Sequence, residues 1–150
     1  MLIDAVRDLP GTVLLLVGDG SARAALELHA RDAGVADRVV FAGAEPHARE
    51  ALCAMDILAS PSEQETFGLA ILEGLAAGLP VLYTTCPPME NVEVVNAHRV
   101  PADAAHFREA IARELSTLDR YPVPNVVTTH DIKRSAETIS ELYAATGEGR

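Results

Sequence analysis

The sequence predicts an α/β protein, an open parallel sheet with helices on both faces, and two observations carry that prediction. Short apolar runs alternate along the chain with segments of helical periodicity. The first of these runs, Thr12-Val13-Leu14-Leu15-Leu16-Val17, is continuously apolar, the pattern of a parallel strand covered on both faces. Strands that alternate with helices are joined by right-handed crossovers and lie parallel. With 150 residues there is room for one domain, and residues 1–150 are read as a single unit.

The elements follow in order. Leu2 to Leu9 reads as the tail of a helix, with Leu2, Ile3 and Val6 on one face and Pro10-Gly11 ending it. After the strand Thr12 to Val17, Gly18-Asp19-Gly20 turns the chain. Ser21 is an N-cap for a helix to about Ala33, closed by Gly34. A strand at Arg38 to Phe41, a short helix at Ala48 to Met55 and a strand at Ile57 to Ala59 come next. Leu69, Ile71, Leu72, Leu75 and Ala76 make a helix apolar nearly all round, hence deeply packed, and Gly78-Leu79-Pro80 stops it. Val81 to Tyr83 is a fourth strand and His98 to Val100 a weak fifth. Phe107, Ile111 and Leu115 then mark a helix from about Asp103 to Leu118. Arg120 to Thr129, with Pro122 and Pro124, reads as an extended connector, and a last helix is expected at about 131–145.

Composition removes several classes of function. Apolar residues at 49% and charged residues at 23% describe a globular chain, not a disordered one. The net charge is −10, Lys133 is the one lysine, and no cationic cluster faces a phosphate backbone, so no nucleic acid is expected as a partner. No apolar run reaches the ~18–20 residues of a transmembrane segment. The first residues lack the basic start and apolar stretch of a signal peptide, so the expected location is cytoplasmic. Cys53 and Cys86 have no CxxC spacing and read as two reduced, buried thiols. His29, His47, His98, His106 and His130 are scattered without metal-ligand spacing, and each reads as non-functional, with His47 on the ligand side of the sheet.

In open parallel sheets, ligands bind beyond the carboxyl ends of the strands. That rule selects the loops Gly18 to Ser21, Ala42 to His47 and Ser60 to Gly68. Gly18-Asp19-Gly20 begins a dinucleotide fingerprint, but Arg23 stands where its third glycine belongs. A tight turn accounts for these glycines better than a dinucleotide site does. The segment Ser60 to Val81 says more. Glu65 precedes a helix start, Gly68 lets the backbone approach a bound group, and the amides of Phe67 to Leu69 can hold a phosphate without a lysine. Glu73 follows Glu65 by eight residues, a rise of ~12 Å if helical throughout, about the span from a hexose to a nucleotide's ribose. The plainer alternative pairs Glu73 with an arginine and makes Glu65 a capping residue.

Glu65 to Glu73 resembles the E-x7-E motif of the family 4, or group 1, retaining glycosyltransferases. Leu15 to Gly20, Asp37 to Gly43, Met55 to Ser62 and Glu73 to Val81 also resemble that family's blocks, in the same order and at similar spacing, over about residues 1–118. The resemblance implies one half of a two-domain GT-B fold, the donor-binding half. It implies that Glu65, as catalytic residue, meets the donor hexose and that Glu73 holds the ribose. Phe67, Gly68 and Leu69 would present amides to sugar and diphosphate, Gly18 would lie at the donor site, and the region of Arg38 and Val39 would lie beside the base. The donor would be a nucleotide-diphosphate sugar, transferred with retention, with no cofactor and no metal. An N-terminal acceptor domain would be the missing partner, and the full-length enzyme would be soluble or peripheral to the membrane.

Two departures accompany the resemblance. The family's arginine and Lys-Gly pair, which grip the diphosphate, would fall before Met1, so the chain alone is expected to fold without turning over. Thr84-Thr85-Cys86-Pro87-Pro88-Met89-Glu90 replaces a glycine-rich turn, with Glu90 matching that turn's glutamate or the whole loop serving as a rigid surface connection. Rival readings are a GT-B-type nucleotide-sugar epimerase and a non-catalytic nucleotide-sugar binding or assembly module.

Overall fold

Among the described residues the strands are short and parallel, as expected, but their hydrogen bonds form two sheets and not one. The computed structural model describes residues 1–45, 48–117 and 119–131. Strand β1 (Leu14–Val17) pairs with β2 (Val39–Gly43), with Leu14 opposite Val39 and Leu16 opposite Phe41. Strand β4 (Val81–Tyr83) is the centre of the second sheet, between β3 (Leu58–Ser60) and β5 (Ala97–Arg99). Leu58 faces Val81, and Val81 faces Ala97. Every residue of β4 is buried, as a strand paired on both edges and covered on both faces must be.

Among the described residues, six α-helices flank the sheets: α1 (Leu2–Arg7), α2 (Arg23–Asp32), α3 (Ala48–Cys53), α4 (Leu69–Ala76), α5 (Ala104–Leu115) and α6 (Asn125–Thr129). Helix α1 joins the two sheets. Its Ile3 packs with Ala30, Val35, Val39 and Leu14 over β1 and β2, whereas Ala5, Leu2 and Leu9 pack with Leu82, Val100 and Phe107 over β4. On the other face of the second sheet, Ile71, Leu72 and Leu75 of α4 pack with Val81, Tyr83 and Leu79. Gly74 allows this approach, since a Cβ there would lie 2.5 Å from Leu58 Cδ2.

Several sequence expectations need correction. Strand β1 is not fully covered on both faces by the described residues: Leu14 to Leu16 are half-buried and Val17 is 40% exposed, while Val13, expected in the strand, precedes it. Ser21 does not cap α2, which starts later, after Ala22, without a side-chain cap. The stretch Arg120 to Thr129 is not wholly extended, because α6 begins directly after Pro124, whose φ of −75° suits a helix entry. Val126 is the reason that short helix holds, being buried against the α4 cluster. Cys53 is exposed, and only Cys86 is a buried thiol; both are free. The expected helix at 131–145 lies outside the described residues apart from its first position.

Candidate functional site

Strand β3 delivers the chain, at its carboxyl end, to the loop from Pro61 to Gly68, and α4 takes it up at Leu69. Gly68 is the residue before the helix, with φ +85° and ψ +41°. That left-handed backbone is open to glycine at little cost. Space demands glycine too, since a Cβ at 68 would lie 2.7 Å from Cys86 Sγ. The amides of Ile71 and Leu72 both return to the Gly68 carbonyl, at 3.0 and 3.2 Å. Among the described residues, the Leu69 and Ala70 amides have no acceptor. Unpaired donors at the positive end of a helix form a place for an anion.

The loop is braced from both sides. Glu65 Oε1 accepts from the Phe67 amide at 3.4 Å, and the Cys86 thiol donates to the Phe67 carbonyl at 3.7 Å. Burial pushes the Cys86 thiol up, and the nearby Glu65 carboxylate acts in the same direction. The backbone is thus held while the side chains of Phe67 and Leu69 stay 42% and 61% exposed. Glu73 sits on α4 between buried Leu72 and Gly74, and is itself partly buried. Among the described residues no hydrogen bond or ion pair engages its carboxylate. Neither half of the plainer alternative is found among the described residues: Glu73 has no arginine partner, and Glu65 accepts from the Phe67 amide ahead of the helix while α4 has no side-chain cap. Because α4 begins at Leu69, the Glu65 to Glu73 stretch is not helical throughout, and the ~12 Å rise does not apply.

Beside this loop, at the carboxyl ends of β4 and β5, an open cavity of about 460 Å³ is lined by Tyr83, Cys86, Met89, Glu90 and Arg99 among others. Pro87–Met89 forms a single 3-10 turn with Met89 buried, so the proline-rich loop is firm and brings exposed Glu90 to the cavity wall.

The remaining sequence candidates scatter. Gly18 lies just past the carboxyl end of β1, where its amide donates to the Gly43 carbonyl at 2.7 Å. Arg38 and Val39 do not join the site, which corrects the expectation for both. They stand at the amino end of β2, opposite to the ligand end. The Arg38 guanidinium donates to the carbonyls of Val6, Arg7, Leu9 and Thr12, at 2.8–3.2 Å, and so closes the C-terminal end of α1. Val39 packs its side chain into the core with Ile3 and Val35. His47 lies outside the described residues.

Two residues that the sequence reading did not place at the site, Arg23 in the failed fingerprint and His130 among the scattered histidines, do lie near the carboxyl-end loops. Arg23 bonds Glu27 at 3.0 Å, pairs with Asp19 and stacks over the Phe41 ring at 5.7 Å. Its place in the failed glycine fingerprint was the one signal available. His130 meets the ring of Phe67, and nothing in the local sequence announces it.

Comparison with known proteins agrees with this geometry. Residues 1–117 match the family described as Glycosyl transferases group 1. The D-inositol 3-phosphate glycosyltransferase of Mycobacteroides abscessus is 42% identical over 99% of this chain and 30% of its own length. The lipopolysaccharide core biosynthesis glycosyltransferase LpsE of Rhizobium meliloti is 46% identical over 55% of this chain and 24% of its own. The chain thus spans less than a third of these relatives. Among solved structures, sucrose-phosphate synthase of Thermosynechococcus elongatus superposes with a TM-score of 0.84 at 25% identity, over 99% of this chain and 42% of that one. Anabaena Alr3699/HepE in complex with UDP gives 0.68 at 27% identity, over 93% and 44%. The family match over residues 1–117, with parallel sheets of Rossmann-like type shared with GT-B neighbours, shows that this chain belongs to the group 1 glycosyltransferases.

Proposed function

We propose that the chain is the donor-binding half of a retaining group 1 glycosyltransferase, taking a nucleotide-diphosphate sugar whose hexosyl group passes to an acceptor held by a separate N-terminal domain. The observation that carries this reading is Glu73, a partly buried carboxylate without a protein partner on the helix whose free amides could meet a diphosphate. A carboxylate in such a setting is stabilised by a ligand that donates to it, and vicinal ribose hydroxyls do so. The Leu69 and Ala70 amides would donate to the developing charge of the departing diphosphate, the part of the reaction where fixed donors lower the barrier most. Glu65, across the loop, is the candidate for contact with the hexose. Firm backbone at Phe67 and Gly68 keeps these groups in place before the donor arrives. The UDP complex of the HepE neighbour supports a nucleotide ligand.

The test is calorimetric titration of the purified chain with UDP, GDP, ADP and their sugar conjugates, with and without EDTA. One nucleotide is expected to bind saturably, without need of a divalent ion, and Glu73→Ala to weaken it at least about tenfold. Turnover by the 150-residue chain alone would contradict the proposed dependence on an acceptor domain. Absence of binding at millimolar ligand would remove the donor reading and leave a non-catalytic module of the same fold.

A further inference from the structure

Phe67 is one of three phenylalanines, and it is the most exposed of them, at 42%, while Phe107 is fully buried. Its amide is engaged by Glu65 and its carbonyl by Cys86, so only the ring is left to be placed. His130 places it. The two rings meet edge to face, with centroids 5.5 Å apart and planes at 71°. This is a geometry that aromatic pairs prefer.

His130 is itself anchored. Its Nδ1 lies 2.8 Å from the Val126 carbonyl, and because a carbonyl only accepts, Nδ1 carries a proton there. Val126 is 7% exposed and packs with Ile71, Leu72 and Leu75 of α4, and Val127 adds to the same cluster. The imidazole is thus fixed to α6, which packs through Val126 against α4, the helix whose amino end frames the loop. Chain segments far apart in sequence converge on one aromatic ring.

We propose that His130 is a positioning residue of the donor site, holding the Phe67 ring so that the Phe67 to Leu69 backbone keeps the geometry that receives the donor. This rests on the donor-site reading above. The imidazole acts through Phe67 and does not itself touch the reacting atoms.

The experiment compares His130→Ala and His130→Phe with the unaltered chain by amide NMR and by titration with UDP, UDP-glucose, GDP and GDP-mannose. His130→Ala is expected to shift and broaden the Phe67, Gly68 and Leu69 amides and to weaken the bound nucleotide sugar about 3–10-fold, while the melting temperature stays nearly constant. His130→Phe keeps a ring at the contact and should recover most of the affinity. In a Phe67→Leu background, His130→Ala should cost little more, because the coupled partner has already gone. Unchanged loop amides in His130→Ala, or an equal loss with and without Phe67, would overturn the proposal. If no probe binds the unaltered chain, the donor reading fails, and the loop amides alone then decide whether His130 holds Phe67.

Discussion

A methyl group at position 68 would have to sit 2.7 Å from Cys86 Sγ while the backbone kept φ at +85°. Gly68→Ala is therefore expected to destabilise the chain by about 1–3 kcal/mol in urea unfolding. Adding Cys86→Ala should return only the steric part, because the backbone strain persists. The need for glycine here was legible, since a helix start between two glutamates calls for close backbone approach. The contact with Cys86 was not, as it joins residues that only the packing of the β4 loop brings together. Arg38 was misread for a similar reason. An arginine next to a strand looks available to a ligand until the carbonyls at the end of α1 are seen to occupy it. Glu73 went the other way: its sequence setting allowed an arginine partner, and the fold supplies none among the described residues.

Helix α5 shows how local chemistry sets an element's start. Asp103 is its N-cap, with Oδ1 accepting from the His106 amide at 2.9 Å. That bond is the first cause holding the Asp103 carboxyl below the ordinary value of 3.8, with the His106 ring adding to it. A carboxyl whose folded pKa is depressed contributes stability above its unfolded value and loses it as pH falls through the folded one. Asp103→Ala should therefore lower the melting temperature at pH 7, and the gap to the unaltered chain should close on acidification below about pH 4. Equal gaps at pH 7 and pH 3 would show that the cap acts without its charge. Position 103 was readable as a helix start because Asp is a strong N-cap just before the periodic apolar run. Ser21 carried the same kind of signal and failed, since α2 begins only after Ala22. Helix α6 was missed because its five residues are too few to register as a period and hold by tertiary contact of Val126.

On the scale of the whole molecule, α1 is the bridge between two sheets that, among the described residues, share no hydrogen-bonded strand. Ile3 serves one core cluster, Ala5 a second, and Arg38 ties the entry of β2 to the end of the same helix. Arg38→Ala should cost about 2 kcal/mol, and Arg38→Lys should not restore it, because an ammonium cannot reach four carbonyls as the planar fork does. Hydrogen exchange would show the loss concentrated in α1, β1 and β2. The β4 amides, inside the fully buried strand, should stay the most protected in both proteins. Uniform acceleration across both sheets would mean instead that the clusters unfold as one.

Alternating periodicity fixed in advance that strands and helices succeed one another in parallel, and the Glu65 to Glu73 block marked the loop after β3 that the proposed donor site uses. Both are properties of neighbouring residues, so a single chain displays them. Other features arise only in three dimensions: the division into two sheets, the removal of Arg38 and Val39 from the site, and the meeting of His130 with Phe67. Each depends on which distant surfaces bury against each other, and burial energy is blind to sequence separation. A side chain's partners are therefore settled by packing, long after its type and spacing have suggested what it could do.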